Sequence, residues 1–257
     1  MINGVLLDLA GVVYDGEDVL PGAAEAIARL RETGLPIRFV SNTTRSSRQA
    51  IVERLDRFGL SIASGELFTP AQAAREWLKQ HDLSPHLLVH PDLASEFHGL
   101  AGCQGKAVIV GDAGETFDYL TLNRAFRALT EGADFLALAS NRTFQDRDGK
   151  LSLDAGAFVA ALEFASQRSA VVLGKPSPAF FRSALASMNC SKAEAVMIGD
   201  DAEVDVAGAL ETGISRALLV RTGKYRDGDE RRFKPSPTAT VADLSAAADW
   251  IIAARND

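Results

Sequence analysis

The strongest constraint on the fold is a pair of apolar runs that each stop at an acid. Val5-Leu6-Leu7 ends in Asp8, and far along the chain Ala195-Val196-Met197-Ile198-Gly199 ends in Asp200-Asp201. A short run that is apolar at every position reads as a strand covered on both faces, the kind found in parallel α/β sheets. In open sheets of that type, ligands bind beyond the carboxyl ends of the strands. Two acids delivered there suit a hard divalent cation. Lys175, directly after the apolar run Val171-Val172-Leu173, adds the positive charge that a phosphoryl group requires.

The segments around these runs alternate between strand and helix patterns. After Asp8, Pro21-Gly22 opens a helix with Ala23, Ile27 and Leu30 on one face, and Gly34 ends it. Ile37–Val40 is the next strand. A helix with Ile51, Leu55 and Phe58 on one stripe then runs to Gly59. From Val171 the alternation continues through a helix bearing Phe181, Leu185 and Met188, the strand at 195–198, a helix from Val204 to Leu210, the strand Ala217–Val220 and a last helix over Ala242–Ala254. This order predicts an α/β fold, a Rossmann-like parallel sheet with helices on both faces. Residues 76–170 form a second βα-like set, with strands at Leu87–His90, Ala107–Val110 and Phe135–Ala139 and helices at Leu120–Thr130 and Ala155–Ser166. The expected organisation is a discontinuous core over 1–75 and 171–257, with an α/β cap domain inserted at 76–170. The tract Thr222–Pro237, mixing charge with Gly and Pro, reads as a surface connection.

Composition narrows the function. The formal net charge of -7 argues against nucleic-acid binding, which needs a basic face. No run is long and apolar enough to span a bilayer, and no secretory signal precedes the first strand. Cys103 and Cys190 read as reduced, buried thiols and not as a bridge. Together these features point to a cytoplasmic enzyme.

Each candidate residue also has a plainer reading. Asp8 could be a turn acid, and Asp205 a favourable charge at a helix N-terminus. Ser41 and Asn42 close a strand, and Thr43 and Thr44 stand before a helix, where one threonine would serve as N-cap. A hydroxyl and exposed N–H groups at such a place also make a phosphate cradle. Lys175 is not part of a Walker A loop, since proline follows it. His81, His86, His90 and His98 read as structural or surface residues and not as a zinc site.

The segments Asp8-Leu9-Ala10-Gly11-Val12, Ser41-Asn42-Thr43, Gly174-Lys175-Pro176 and Gly199-Asp200-Asp201 with Asp205, in this order, resemble the four motifs of the haloacid dehalogenase-like superfamily. An insertion between the second and third is the position of a C2-type cap, as in the NagD-like phosphatases. Asp112–Phe117, Gly174–Pro178 and Thr222–Tyr225 look like the corresponding stretches of the phospholysine/phosphohistidine/inorganic pyrophosphate phosphatase group. The resemblance implies Asp8 as nucleophile, and Mg²⁺ held by Asp8, the Ala10 carbonyl and Asp200. It implies phosphate bound by Ser41, Asn42, Thr43 and Lys175. Asp205 would be catalytic or supporting, with Asp201 supporting the metal ligands, and the protein would be a homodimer. The departure is Ala10, where most phosphatases of the superfamily carry an acid/base Asp. A chain lacking that acid is expected to favour leaving groups that depart without a proton, such as aryl phosphates, pyrophosphate and phosphoramidates. A phosphate- or phosphoprotein-binding member with turnover largely lost is the alternative. Phosphonate cleavage ranks last, because none of Lys79, Lys106 and Lys150 is plainly placed for a Schiff base. The loop Ser140-Asn141-Arg142-Thr143 is the expected substrate-facing element of the cap.

Overall fold

The computed structural model describes residues 1–145 and 150–256. In chain order its strands are β1 (Gly4–Asp8), β2 (Tyr14–Asp15), β3 (Asp18–Val19), β4 (Ile37–Val40), β5 (Leu67–Phe68), β6 (Ser84–Leu88), β7 (Lys106–Val110), β8 (Asp134–Ala137), β9 (Thr143–Gln145), β10 (Leu151–Leu153), β11 (Val171–Val172), β12 (Ala195–Gly199), β13 (Arg216–Val220) and β14 (Ala239–Val241). Two compact units result. The first contains Met1–Ser41, Val52–Phe68 and Lys175–Asp257, and the second contains Asn42–Ile51 and Thr69–Gly174.

The first unit is built on a six-stranded sheet of order β14-β13-β12-β1-β4-β5, parallel throughout. The two acid-ended runs are its central neighbours, with Leu6 opposite Met197 and Leu7 opposite Ile198. Val5, Leu6, Leu7, Val196, Met197 and Ile198 are all fully buried, as continuous apolar runs require. Each such side chain contributes about 1.5–3 kcal/mol by leaving water. Leu6, Met197 and Leu219 pack with Phe180, Phe181 and Leu185 of the helix Pro178–Ala186. The helices Ala23–Glu32 and Leu244–Asn256 pack on each other, and Arg255 donates to the Thr33 carbonyl at 2.8 Å.

The second unit has a four-stranded parallel sheet of order β11-β8-β7-β6. Its strands alternate cleanly between two cores. Val108, Val110, Phe135 and Ala137 face Ala125, Leu129, Val159 and Leu162, whereas Ala107, Ile109, Leu136 and Leu138 face Ala74, Leu78, Leu93 and Phe97. This is the two-residue period of a sheet covered on both sides.

Four expectations change. The strand at Val171–Val172 does not join the large sheet: it pairs with Leu136 and Ala137 of β8, so it completes the sheet of the second unit. The helix Pro70–His81 likewise packs in the second unit, through Ala74 and Leu78. The boundaries therefore fall at 68/69 and 174/175, not at 75/76 and 170/171, and residues 42–51 also belong to the second unit. Neither Thr43 nor Thr44 caps the helix Arg48–Arg57. Ser47 does, its Oγ accepting the Ala50 N–H at 3.2 Å, while Thr44 Oγ1 accepts the N–H of Asp112. Both cysteines are free thiols, but only Cys190 is buried; Cys103 is exposed, contrary to expectation. Among the described residues no helix is long and apolar enough to cross a membrane.

Candidate active site

Asp8 and Asp200 occupy the ends of adjacent strands because β1 and β12 are paired in register. Both are nearly fully buried. Lys175 stands between two carboxylates, its Nζ 2.6 Å from Asp8 Oδ1 and 2.7 Å from Asp205 Oδ1. Lys175 and Asp205 are themselves buried. Burial alone would lower the lysine pKa, but Asp205 and Asp8 outweigh it and hold the ammonium above its ordinary value. Lys175 is therefore a fixed positive charge.

Asp205 is positioned by a wide, π-type helical turn, Ala202–Ala207, in which the Asp201 carbonyl accepts from Asp205 N at 3.0 Å and from Val206 N at 3.2 Å. The Asp201 side chain caps this turn, accepting the N–H groups of Glu203 at 3.1 Å and Val204 at 2.9 Å. The helix expected from Val204 to Leu210 is this turn followed by the short helix Gly208–Glu211. Asp201 is thus both the N-cap of this turn and a member of the acidic group, and the helix N-terminal role considered for Asp205 falls to it.

Acid ligand atoms of Asp8, Asp200 and Asp205 lie within 4.8 Å of one another. Burial, then Asp8 and Asp205, push the Asp200 carboxyl well above the usual range. The Asp205 carboxyl is also raised, by burial and by Asp8, against the lowering effect of Lys175. Four carboxylates, counting Asp201, meet two ammonium groups, Lys175 and Lys224. Closely set buried anions with too little positive charge fit an oxygen-ligated divalent cation. Asp8 and Asp200, at the ends of paired strands, could hold such an ion, with Asp205 the third acid within reach.

The tract after β13, expected to be a surface connection, builds part of this site. The Lys224 N–H donates to Asp200 Oδ2 at 2.7 Å and the Lys224 ammonium lies 3.2 Å from Asp201 Oδ2. Thr222 Oγ1 donates to the Gly11 carbonyl in the loop after Asp8. Gly11 and Gly223 both have positive φ, +79° and +59°, and a Cβ on either would stand 2.0 Å from Asp200 Oδ2. Two backbone segments therefore close on one carboxylate oxygen where no side chain could fit. These residues were missed because a backbone N–H leaves no trace in residue type. The available signal was position: Thr222-Gly223-Lys224 directly follows the buried strand Leu218–Val220, another carboxyl end of the same sheet.

The structure thus brings together Asp8, Lys175, Asp200, Asp201 and Asp205. Ser41 is buried just past β4, its N–H donating to the Phe68 carbonyl at 3.1 Å, and β4 sets Val40 beside Asp8. Ala10 is exposed, two residues past Asp8. Asn42 and Thr43 follow in the chain but belong to the second unit, where a Cβ on Gly174 would lie 2.6 Å from Asn42 Oδ1. In the same unit, the Arg142 carbonyl accepts from Asp154 N and the Asn141 carbonyl from Gly156 N, so the expected substrate loop is stitched to the start of the helix Ala155–Ser166.

Comparison with known proteins agrees with this geometry. Residues 5–114 match the model described as haloacid dehalogenase-like hydrolase, and residues 172–247 a second HAD-hydrolase-like model. The chain is 41% identical to phospholysine phosphohistidine inorganic pyrophosphate phosphatase of Xenopus laevis, over 99% of this chain and 96% of that protein. It is 42% identical to haloacid dehalogenase-like hydrolase domain-containing protein 2 of Homo sapiens, over 98% and 96%. The p-nitrophenyl phosphatase from Archaeoglobus fulgidus superposes with a TM-score of 0.88 at 26% identity, covering 97% of this chain and 99% of that one. The chain belongs to the haloacid dehalogenase-like hydrolases and is a phosphatase of that family.

Proposed function

We propose that this phosphatase is Mg²⁺-dependent and acts through an aspartyl-phosphate on Asp8, on small phosphorylated substrates with good leaving groups. The observation that carries the proposal is the buried array in which Lys175 holds Asp8 and Asp205 while Asp200 stands beside them. A carboxylate nucleophile splits a hard displacement at phosphorus into two easier ones. Lys175 fixes Asp8 through Oδ1, and its charge offsets the repulsion between the carboxylate and an incoming phosphate. Ser41, Asn42 and Thr43, the hydroxyl and amide groups that follow β4, would bind the phosphoryl oxygens. Mg²⁺, when bound by Asp8, Asp200 and the Ala10 carbonyl, supplies charge neutralisation at those oxygens.

Ala10 supports the leaving-group preference. No carboxylate stands two residues past the nucleophile to protonate a departing alkoxide or to activate the hydrolytic water. General acid/base catalysis is worth about 10²–10⁴ in rate, so substrates that need the proton suffer most. Pyrophosphate and aryl phosphates release stable anions, and a phosphoramidate already protonated on nitrogen releases a neutral amine, so none of them needs that acid. The curated relative named for phospholysine, phosphohistidine and inorganic pyrophosphate is in keeping with that class.

A homodimer formed through the second unit is part of the same proposal. Among the described residues that unit leaves Tyr119, Leu120, Leu151, Leu153, Phe164 and Val171 exposed, and Phe164 is 90% exposed. Those exposed apolar side chains are what supports an association surface on this unit.

The test is phosphate release with and without Mg²⁺ from an aryl phosphate, pyrophosphate, a phosphoramidate and an alkyl phosphate. The expected order places the alkyl phosphate last, with every rate abolished by chelation. Metal-independent turnover would overturn the metal assignment, and equal rates across the four would overturn the role given to Ala10.

A further inference from the structure

The turn that carries Lys224 is held from outside the acidic cluster by one side chain. Arg226 Nη1 donates to the carbonyls of Gly223 at 3.3 Å, Lys224 at 3.2 Å and Tyr225 at 2.8 Å. One guanidinium nitrogen carries two N–H groups, so three carbonyls gathered around it share them. The Arg226 main chain is tied in turn, with its N–H donating to Asp229 Oδ2 at 2.8 Å and its carbonyl accepting from Asp229 N at 3.0 Å. Tyr225 N donates to the Thr222 carbonyl at 3.2 Å and closes the turn. When consecutive carbonyls converge on one point, the intervening N–H groups are directed to the opposite side. On that side the Lys224 N–H meets Asp200 Oδ2.

We infer that Arg226 is a positioning residue for Asp200. It holds the turn that engages Oδ2, and so leaves the other carboxylate oxygen as the one presented to a cation. Arg226 itself is exposed and acts only through the turn. The inference rests on the reading that Asp200 binds Mg²⁺. Partners that orient a metal-binding side chain typically cost 10–100-fold in affinity when removed. Arg226 is one step further out, so its removal is expected to fall near the lower end, about 10-fold.

The experiment compares wild type, Arg226→Ala, Arg226→Lys and Arg231→Ala, using Mg²⁺ alone as probe. Arg231 is exposed and its Nε lies 3.6 Å from Glu230, so its removal takes the same charge from the same segment while the Arg226 donor to the turn's carbonyls stays in place. Three quantities are read: the Mg²⁺ dissociation constant by calorimetry, and, in metal-free protein, the amide exchange rate of Lys224 and the melting temperature. Arg226→Ala is expected to weaken Mg²⁺ about 10-fold and to speed exchange at Lys224, with an unchanged metal-free melting temperature. Arg226→Lys should recover part of both effects, since an ammonium can still donate to these carbonyls, and Arg231→Ala should alter neither. Wild-type Mg²⁺ binding with unchanged affinity in Arg226→Ala would overturn this inference and leave the proposed function standing. Weakening of equal size in Arg231→Ala would mean that charge, not position, is responsible, and would also overturn it. A wild-type protein that bound no Mg²⁺ would remove the reading of Asp200 and this inference together.

Discussion

Gly223 meets Asp200 with no space for a side chain between them: a Cβ on the glycine would lie 2.0 Å from Oδ2 of the acid. The neighbours in the clash are the carboxylate itself and the Gly11 backbone, whose Cα would lie 2.5 Å from the same Cβ. Gly223→Ala should therefore displace Asp200 and break the Lys224 N–H contact. The left-handed backbone at φ +59° adds about 1–2 kcal/mol of strain for any L side chain. Mg²⁺ affinity and turnover are expected to fall together by about 10–100-fold, as calorimetry and a phosphate-release assay would read. Unchanged affinity would mean that Asp200 is not held by this contact.

Asp8→Asn preserves shape and removes the nucleophile. Turnover should drop by roughly 10⁴-fold or more, the scale seen when a covalent catalyst is lost. Circular dichroism should remain that of the wild type. Residual activity close to wild type would exclude covalent chemistry through Asp8.

Lys175→Met replaces the ammonium by an apolar chain of similar length. It leaves Asp8 and Asp205 buried with no cation between them. Breaking a buried pair from one side costs about 3–5 kcal/mol. Denaturant titration should show that loss at neutral pH and a smaller one in mild acid, where the raised Asp205 carboxyl is protonated. A constant loss across pH would indicate a packing defect instead.

Metal-free protein should lose stability as pH rises. Asp200 is raised from 3.8 to about 8, by burial and then by Asp8 and Asp205, and Asp205 to about 7 by burial and Asp8. A carboxyl whose folded pKa exceeds its unfolded value stabilises the fold while protonated. That contribution is complete below the unfolded value and disappears as pH climbs through the folded one. The melting temperature without metal should therefore fall between about pH 4 and about pH 8. Mg²⁺ binds the ionised form, so the rise that it produces in melting temperature should be larger at the alkaline end. A melting temperature that climbed with pH in the metal-free protein would contradict this account.

Ala10→Asp restores a carboxylate two residues past the nucleophile. Ala10 is exposed, so the new group would remain hydrated and ionisable. Alkyl phosphate hydrolysis is expected to gain up to about 10²–10⁴-fold, with a smaller gain for aryl phosphates, because an alkoxide needs the proton more than a phenolate does. Steady-state rates on both substrates decide the matter. An equal change would mean that position 10 does not supply the acid.

Most of this arrangement was legible in residue order, for a definite reason. β1 and β12 are covered on both faces, so their burial is written as unbroken apolar runs, and the acids that end them mark the sheet's carboxyl edge. β11 was equally visible as a strand, but its partner was not: Val171 and Val172 have no pattern that distinguishes pairing with β8 from pairing with β1. β5 and β14, of two and three residues, are too short to establish a period. The π-type turn that delivers Asp205 depends on a hydrogen bond between Asp201 and Val206, which composition does not encode. In the tract from Thr222, charge, glycine and proline implied an idle connection, whereas its contact with Asp200 is made by the Lys224 backbone N–H, which no residue type encodes.

The placement of β11 has an engineering consequence. Val172 is stitched into one sheet, and Lys175, three residues later, neutralises acids at the edge of another. A chimera joined at residue 171, where the chain first looks like core again, would remove a strand from the donor's insert and leave an unmatched one on the recipient. A crossover between Gly174 and Lys175 would keep each sheet whole and leave the lysine with the aspartates that it serves.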